Sequence, residues 1–514
     1  MHPRFSALTL VAVATLAACS TDVVTSPEKL ATAPSMSVSA INADSYLVLF
    51  RGNGIPRDFA ARVAAAGGTI QLIHAGAGIA SVSGLTPAAA TALRASADIA
   101  DMQANAQVGL GHAVSPIQAD AAATDNPSID SQANPTSGIR FFFQWNMRLI
   151  NAPTAWAAGK LGSAGVTAAI IDSGIDYNAF DLNGLVDLSR SKSFTDRCAA
   201  DVDPKPDEAP NWEPNDCTYS VYKKDDNAIA AESFPTRNLI TDFNGHGTNV
   251  ASQVSSKALV LAGVTSRTTL IGVKVLGANG FGWTDHILFG VLWAADHGAN
   301  VANMSIGGAL SKAGNGRFVG TLNRVFNYAL KKNMLIVVAA GNETEDLQHN
   351  ANLYDTYCDA VHVLCVSAVG PGTATADPNT PAFFSNFGRQ AVGVAAPGGN
   401  ATFKDGAFVL SAWPWGTDIA SWVWSLCSKT TLDGYDEKGV LKTPCSTGGR
   451  LTGEVGTSQA SPHAAGLAAL LFAEHPGASA TAVKHMIEQS AVVPAGWDPA
   501  YGRGRIDVKA ALGL

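Results

Sequence analysis

The stretch Val166-Thr167-Ala168-Ala169-Ile170-Ile171-Asp172-Ser173-Gly174 decides the fold of this chain. Its first six residues are almost continuously apolar, which is typical of a parallel strand buried on both faces. Helical patterns such as His286–Ala295 and Phe318–Lys332 lie between further runs of this kind. These runs are Thr269–Val275, Val301–Met304, Leu335–Ala339, Val363–Val369 and Val392–Ala395. The alternation predicts a three-layer α/β domain with a mainly parallel sheet between two layers of helices.

Three polar residues lie where predicted strands end or helices begin. Asp172 ends the first strand, and His246 lies in Asn244-Gly245-His246-Gly247-Thr248. Ser458 lies in Gly456-Thr457-Ser458-Gln459-Ala460-Ser461-Pro462-His463, before an apolar run that predicts a buried helix. Nucleophilic peptide hydrolysis needs a hydroxyl that attacks, an imidazole that takes its proton and a buried carboxylate that orients the imidazole. The positive N-terminal end of the helix would favour negative charge developing near Ser458.

The three segments, in the order Asp, His and Ser, resemble the active-site signatures of subtilisin-like serine proteases. The resemblance covers residues 140–514 and implies a subtilisin-like fold and a serine endopeptidase acting on proteins or peptides. It implies that Asp172, His246 and Ser458 form the catalytic triad, with the Ser458 N–H as one oxyanion donor. The segment Val337-Val338-Ala339-Ala340-Gly341-Asn342 matches the family segment that supplies the second donor, so the resemblance assigns that role to Asn342.

Two segments match the walls of the family's substrate cleft, Ser305-Ile306-Gly307 and Ala339-Ala340-Gly341. The resemblance implies that their backbones pair with an extended peptide and flank the primary specificity pocket. Two positions depart from the family pattern: Asn249 replaces a second His, and Gln459 replaces a Met. Neither belongs to the triad, so we expect altered packing and retained activity.

Catalysis of this type requires no cofactor. Asp181 matches a family calcium ligand, but the stretch Ser255–Thr265 is short and lacks the Asn-rich pattern that supplies the other ligands. Calcium needs about six oxygen ligands, so a structural calcium ion is left open with its ligands unidentified. The acidic insertion at about 187–240 is expected to be a solvated loop tied by a disulfide, with a calcium site as the alternative. The tryptophan-rich insertion at about 399–452 forms either its own core or a rim of the cleft.

The order of elements in residues 45–108 is strand, helix, strand, strand, helix, strand, which predicts a small ferredoxin-like α+β domain. This domain resembles the inhibitor-like propeptide of subtilisin-like proteases, and a permanent accessory domain is the alternative. Residues 109–139 are polar and aperiodic, which predicts a linker that contains the processing site. The peptidase domain then spans residues 140–514, and before cleavage its own propeptide would be a binding partner.

Residues 1–18 are expected to be a signal peptide, because the apolar run Leu8–Ala18 is shorter than the roughly 20 residues that span a bilayer. The sequence Leu16-Ala17-Ala18-Cys19 resembles the lipobox of bacterial lipoproteins, which makes Cys19 the lipidation site and residues 19–44 a linker. An ordinary signal peptide is the alternative. We therefore expect a precursor lipid-anchored at a bacterial cell envelope and a mature enzyme that is periplasmic or extracellular.

The formal net charge of -8 gives no electrostatic basis for binding nucleic acid, and we expect a monomer. In an oxidising compartment the six cysteines after Cys19 predict disulfides, and their positions favour three local pairs, with free buried thiols as the alternative. The pairs are Cys198–Cys217, Cys358–Cys365 and Cys427–Cys445. A metallopeptidase His-Glu-x-x-His motif and a lipase Gly-x-Ser-x-Gly nucleophile are both lacking from the sequence. A subtilisin-like fold serving only as a binding module would be expected to lose a catalytic residue, whereas all four are present.

Overall fold

The computed structural model of the chain describes residues 41–52, 54–110, 117–120, 131–198, 217, 222–349, 353–355, 357–372, 376–400, 403–404, 407–408, 421–432, 445 and 450–514. The predicted signal peptide and lipidation site Cys19 lie outside these ranges. None of the helices within them has both the length and the hydropathy needed to cross a bilayer.

The elements are numbered in chain order. The strands are β1 Ile41–Phe50, β2 Thr69–His74, β3 Ile79–Ser83, β4 Ile99–Gly109, β5 Ile117–Asp120, β6 Thr167–Asp172, β7 Lys192–Ser193, β8 Thr269–Lys274, β9 Phe281–Trp283, β10 Val301–Met304, β11 Ala309–Ser311, β12 Leu335–Ala339, β13 Leu353–Asp355, β14 Leu364–Val369, β15 Val394–Pro397, β16 Phe403–Lys404, β17 Ala407–Phe408, β18 Val423–Leu426 and β19 Arg450–Glu454. The α-helices are α1 Phe59–Ala65, α2 Pro87–Arg94, α3 Trp145–Leu149, α4 Ala152–Ala157, α5 Asp226–Ser233, α6 His246–Val254, α7 Thr284–Asp296, α8 Lys312–Lys331, α9 Thr457–Glu474, α10 Ala480–Gln489 and α11 Val508–Ala511. Short 3₁₀ helices span Pro135–Ser137, Phe141–Phe143 and Pro499–Tyr501.

The central sheet has the order β15-β14-β12-β10-β6-β8-β7, and each pair of neighbours is parallel. Successive side chains of β6 enter opposite cores: Ala168 and Ile170 pack on one side of the sheet, and Ala169 and Ile171 on the other. Both faces are therefore buried, which explains the continuous apolar runs. Helices α6, α9 and α10 cover one face, and α7 and α8 cover the other. The predicted three-layer α/β fold is confirmed.

The N-terminal domain has the predicted ferredoxin-like order of elements, and its antiparallel sheet has the order β2-β3-β1-β4. Its first strand begins at Ile41, inside the stretch predicted to be a linker. One face of the sheet, including Val48, packs on α1 and α2. The opposite face, including Leu47 and Leu49, joins the core that contains α7 and α8 of the peptidase domain. The small domain is therefore completed by contacts with the larger one.

Hydrogen bonds to a buried carboxylate and a strand ladder link the two domains. Arg197 binds both carboxylate oxygens of Asp285 at 2.6 Å, and Asp285 also accepts hydrogen bonds from Ser81 at 2.5 Å and Asn105 at 2.7 Å. Although burial opposes ionisation, Arg197 and the hydrogen bond from Ser81 hold the pKa of Asp285 well below its usual range. Strand β4 also continues its sheet by pairing with β9.

The predicted linker 109–139 contains structure that the sequence pattern did not predict. Strand β5 pairs antiparallel with β19, so that Ile117 lies opposite Gly453 and Asp120 lies opposite Arg450. A 3₁₀ turn at Pro135–Ser137 follows. The polar composition concealed β5 because a short edge strand is specified by its partner as much as by its own residues.

The structure pairs the cysteines as predicted, with Cα–Cα distances of 5.3, 5.2 and 6.0 Å for the three bridges in chain order. In the tryptophan-rich insertion, Trp422 and Trp424 are buried in the main core of the peptidase domain and not in a separate core of the insertion. Trp413, Trp415 and the acidic stretch 199–216 lie outside the described residues.

Helix α6 approaches the turn after β6 so closely that only glycine fits at the contact. A Cβ atom at Gly247 would lie 2.1 Å from the backbone oxygen of Gly174. Gly174 itself has φ +115°, and a Cβ there would lie 2.4 Å from the oxygen of Ile240. The segments that contain Asp172 and His246 are thus held in backbone contact.

We expect Gly247→Ala to destabilise the protein by about 1–3 kcal/mol and to reduce activity, because α6 must move away from Gly174. Gly320→Ala is the matched control, since no heavy atom lies within 4 Å of a Cβ at that helical position. The control should be neutral or should stabilise by about 0.5–1 kcal/mol. Urea unfolding and a peptidase assay test both variants. Equal behaviour of the two would show that the Gly174–Gly247 contact does not constrain the fold.

Candidate active site

Asp172 and His246 are brought together by the end of β6 and the start of α6. The Nδ1–H of His246 donates to Oδ1 of Asp172 at 2.8 Å, and both residues are buried. The backbone N–H of Ser173 donates to the same carboxylate oxygen at 2.7 Å. With Nδ1 carrying the proton, Nε2 of His246 is the nitrogen left to act as a base.

Ser458 lies in the first turn of α9, where backbone N–H groups have no partner within the helix. Its hydroxyl donates to the backbone oxygen of Ser305 at 3.2 Å. Within the described residues no hydrogen bond joins Ser458 to His246, and such bonds are often long before substrate binds. The Ser305 hydroxyl in turn donates to the backbone oxygen of Ser458 at 2.8 Å, so the segment after β10 holds Ser458 in position.

Asn342 is held beside Ser458 by its side-chain oxygen. Oδ1 accepts hydrogen bonds from the backbone N–H and the hydroxyl of Thr457, at 2.8 and 3.0 Å. The Nδ2 amide lies beside the nucleophile turn, since a Cβ at Gly456 would be 3.7 Å from it. This arrangement directs an N–H donor towards the region of Ser458.

The predicted cleft segments lie at the ends of β10 and β12, next to Ser458. Ser305, Ile306 and Gly307 are buried directly after β10. Ala339 ends β12, and the N–H groups of Ala340 and Gly341 already donate, to the oxygen of Val366 and to the hydroxyl of Thr457. The backbone N–H groups of Ala340 and Gly341 are therefore already bonded within the protein and are not free to pair with a peptide.

A buried carboxylate that sequence reasoning missed, Asp242, connects the segments that contain Asp172 and His246. Its Oδ1 accepts the hydroxyl of Ser173 at 2.9 Å and the N–H groups of Asn244 and Gly245. Its Oδ2 accepts the N–H and the hydroxyl of Thr248, at 2.8 and 2.6 Å. The signal available in the sequence was an Asp four residues before His246, at the start of the predicted helix.

A buried lysine lies behind Asp172, the predicted catalytic aspartate. Lys274 pairs with Asp172 across β6 and β8 and is fully buried. Its Nζ donates to the backbone oxygen of Ser173 and forms an ion pair with Asp226 at 2.8 Å. Asp226 belongs to the acidic insertion, so one acidic residue of that insertion neutralises a cation beside Asp172.

The charges around His246 favour its protonated form. Burial alone lowers the pKa of the imidazole, but the charge and hydrogen bond of Asp172, with Glu454 and Asp242, raise it to about 9. Burial also raises the pKa of Glu454 to about 7, although His246 acts in the opposite direction. The geometry thus stabilises the imidazolium that a proton transfer to His246 would create.

The arrangement of Asp181 does not fit the calcium site that the family resemblance suggested. Its carboxylate is buried and accepts the N–H groups of Leu259, Val260 and Leu261 at 2.6–3.2 Å. These N–H dipoles point their positive ends to the place where a cation would bind. The described residues contain no group of three His, Cys, Asp or Glu side chains that could hold a metal ion.

Because Asp181 holds no calcium ion in this interpretation, EDTA should not lower the melting temperature through this residue. Asp181→Asn should destabilise the protein by about 1–3 kcal/mol. The asparagine amide would direct its own N–H groups at backbone donors. Asp377→Asn, at an exposed turn, is the control and should have little effect. Thermal unfolding of an inactive variant with EDTA or calcium tests this. A stabilisation by calcium that disappears in Asp181→Asn would restore the metal site.

Comparison with known proteins places this geometry in a family. The profile of the subtilase family matches residues 163–504. Subtilisin DY of Bacillus licheniformis is 30% identical over 273 residues, which cover 53% of this chain and 78% of that protein. The thermophilic serine proteinase of Bacillus sp. strain AK1 is 29% identical over 356 residues. These cover 69% of this chain and 63% of the relative, so the chain spans less than two thirds of that protein's length.

A solved structure supports the same fold. The epidermin leader peptide processing serine protease of Staphylococcus aureus superposes with a TM-score of 0.63 and 20% sequence identity. The match covers 91% of this chain and 98% of that one. The profile match covers well over half of the chain and includes Asp172, His246 and Ser458. The chain therefore belongs to the subtilase family.

Proposed function

We propose that this chain is a serine endopeptidase that hydrolyses peptide bonds through Asp172, His246 and Ser458. The observation that carries the proposal is the 2.8 Å contact between Asp172 and His246, with Ser458 at the start of a buried helix nearby. Membership of the subtilase family and the serine proteinases among its relatives support the same activity.

In the proposed mechanism, Nε2 of His246 takes the proton of the Ser458 hydroxyl as its oxygen attacks the substrate carbonyl. Asp172 keeps the imidazole in the required tautomer and stabilises the imidazolium. The imidazolium then gives its proton to the leaving amine, and an acyl-enzyme on Ser458 remains. Water, deprotonated by His246, hydrolyses this ester and restores the enzyme.

The oxyanion of each tetrahedral intermediate would be bound by the Ser458 N–H and the Asn342 amide. The two hydrogen bonds from Thr457 fix Asn342 before substrate arrives, so little reorganisation is needed as charge develops. Water exclusion in the cleft strengthens these interactions.

We also propose that residues 41–110 are a propeptide that the enzyme removes from itself. Strand β4 ends beside β9, where Leu110 donates its N–H to the oxygen of Gly280. Asn244, two residues before His246, bonds to Ala278 in this same loop. The propeptide chain thus leaves its domain close to His246. It forms β5 further on, where Ile117 lies opposite Gly453, five residues before Ser458.

The remaining parts of the proposal concern location. An exported precursor agrees with the three disulfides, which persist in oxidising compartments. A lipid on Cys19 would lie on the propeptide side of the cleavage, so processing would remove the covalent link between the peptidase and its anchor. After the cut propeptide has dissociated or been degraded, the mature enzyme would be soluble in the periplasm or medium and act on proteins or peptides.

Ser458→Ala should remove nearly all activity, by about 10⁶-fold in turnover, while the fold is retained. Asn342→Ala should cost about 10²–10³-fold, because one of two oxyanion donors is lost. Ser163→Ala, remote from the site, is the control for a lost hydroxyl. Casein hydrolysis and circular dichroism measure the two effects. Near wild-type hydrolysis by folded Ser458→Ala would end the triad assignment.

The Ser458→Ala protein should remain full length and in the membrane fraction, because it cannot cut its own linker. Wild-type protein should give a soluble C-terminal fragment of about residues 113–514. Cell fractionation with blotting against the C-terminus measures this, and mass spectrometry of the fragment gives its N-terminus. Active wild-type enzyme that stays in the membrane as one chain from Cys19 onward would contradict release.

A further inference from the structure

Strand β19 is tied to both helices that carry catalytic residues. Asn249 of α6, three residues after His246, donates from Nδ2 to the Thr452 hydroxyl at 3.1 Å. Gln459 of α9, directly after Ser458, donates from Nε2 to Oε2 of Glu454 at 2.6 Å. Asn249 and Gln459 are the two positions at which the sequence departs from the family pattern. Both departures therefore make hydrogen bonds with the same strand.

The bond between Glu454 and Gln459 closes the turn that carries the nucleophile. Glu454 ends β19, Gln459 lies in the first turn of α9, and Ser458 lies between them. Both side chains are buried, with exposures of 6% and 0%. A side-chain hydrogen bond across so short a turn restricts the position of Ser458.

A buried carboxyl is costly, so its neighbours matter. His246, Asp172 and Asp242 are the charged groups whose fields act on Glu454. Lys274 forms its ion pair with Asp226. Burial lowers the pKa of His463 on α9 to about 4, which keeps this imidazole neutral. The neighbouring strand β18 has no titratable side chain. Among the described groups, His246 is thus the cation that ionised Glu454 stabilises.

We infer that Glu454 is a positioning residue of this peptidase, which holds the Ser458 turn through Gln459 and adds a second negative charge to the field at His246. This inference rests on the proposed function. It assigns to the insertion that ends in β19 a direct effect on the catalytic base.

The test is the pH dependence of kcat/KM, since a purely structural hydrogen bond would not move it. Ionised Glu454 favours protonated His246, and the protonated imidazole cannot act as a base. Glu454→Gln keeps a hydrogen-bond acceptor for Gln459 and removes the charge. On the acidic side of the pH profile, kcat/KM rises as His246 loses its proton. We therefore expect this acidic limb to move to lower pH by about 0.5–1 unit in Glu454→Gln. At a fixed pH on the limb, kcat/KM should rise about three- to tenfold.

Gln459→Met provides a second variant, because it leaves the Glu454 carboxyl without its partner and favours its neutral form. The acidic limb should move in the same direction as in Glu454→Gln. The double variant should match Glu454→Gln alone, since both changes remove one and the same charge. Glu488→Gln, a buried glutamate paired with Lys484 on α10, is the matched control and should leave the limb in place.

The measurements use processed wild-type enzyme and a neutral peptide substrate, alongside one with a lysine on the leaving-group side. The inference is overturned if the acidic limb of the Glu454→Gln profile stays within 0.2 pH units of the wild-type limb and only the melting temperature falls. A changed KM for the lysine substrate alone also overturns it, because Glu454 would then contact substrate. Inactive wild-type enzyme would instead count against the proposed function, so the two failures are distinguishable.

Discussion

The carboxylate of Asp242 is the interaction on which the catalytic arrangement depends. It accepts five hydrogen bonds, from Ser173 beside the catalytic aspartate and from backbone and side-chain groups around the first turn of α6. One fully buried anion therefore fixes the end of a strand and the start of a helix against each other. Its bonds compensate for the loss of hydration, as a buried charge requires. Asp242 thus constrains the two segments whose side chains, Asp172 and His246, meet at 2.8 Å.

Much of the fold could be predicted because the central strands are buried on both faces. Continuous apolar runs identified β6, β8, β10, β12, β14 and β15 to within about two residues at each end. Strands β5, β7 and β9 were not predicted, since two to four residues carry too little periodicity. Such strands form where a partner offers free backbone groups, and the partner is remote in sequence.

The candidate site also contains residues that the sequence could identify and residues that it could not. Short motifs identified Asp172, His246, Ser458 and Asn342, because the residues within each motif are contiguous. The residues that hold them in place are brought together only by the fold: Lys274 meets Asp226 across 48 positions. Gln459 was recognised as a departure from the family, but its partner Glu454 belongs to no motif. A replacement in a packed site becomes interpretable once its neighbour is known.

If the N-terminal domain is the proposed propeptide, its contacts imply that cleavage and activation are separate events. Its sheet needs the peptidase helices for its second face, and burial of Leu47, Leu49 and Ile79 there contributes about 1.5–3 kcal/mol each. The Asp285 network adds polar contacts that do not involve the linker. Cutting the chain after Leu110 would break none of these contacts. The cut domain should therefore remain bound, and release of the active site would require its later dissociation or degradation.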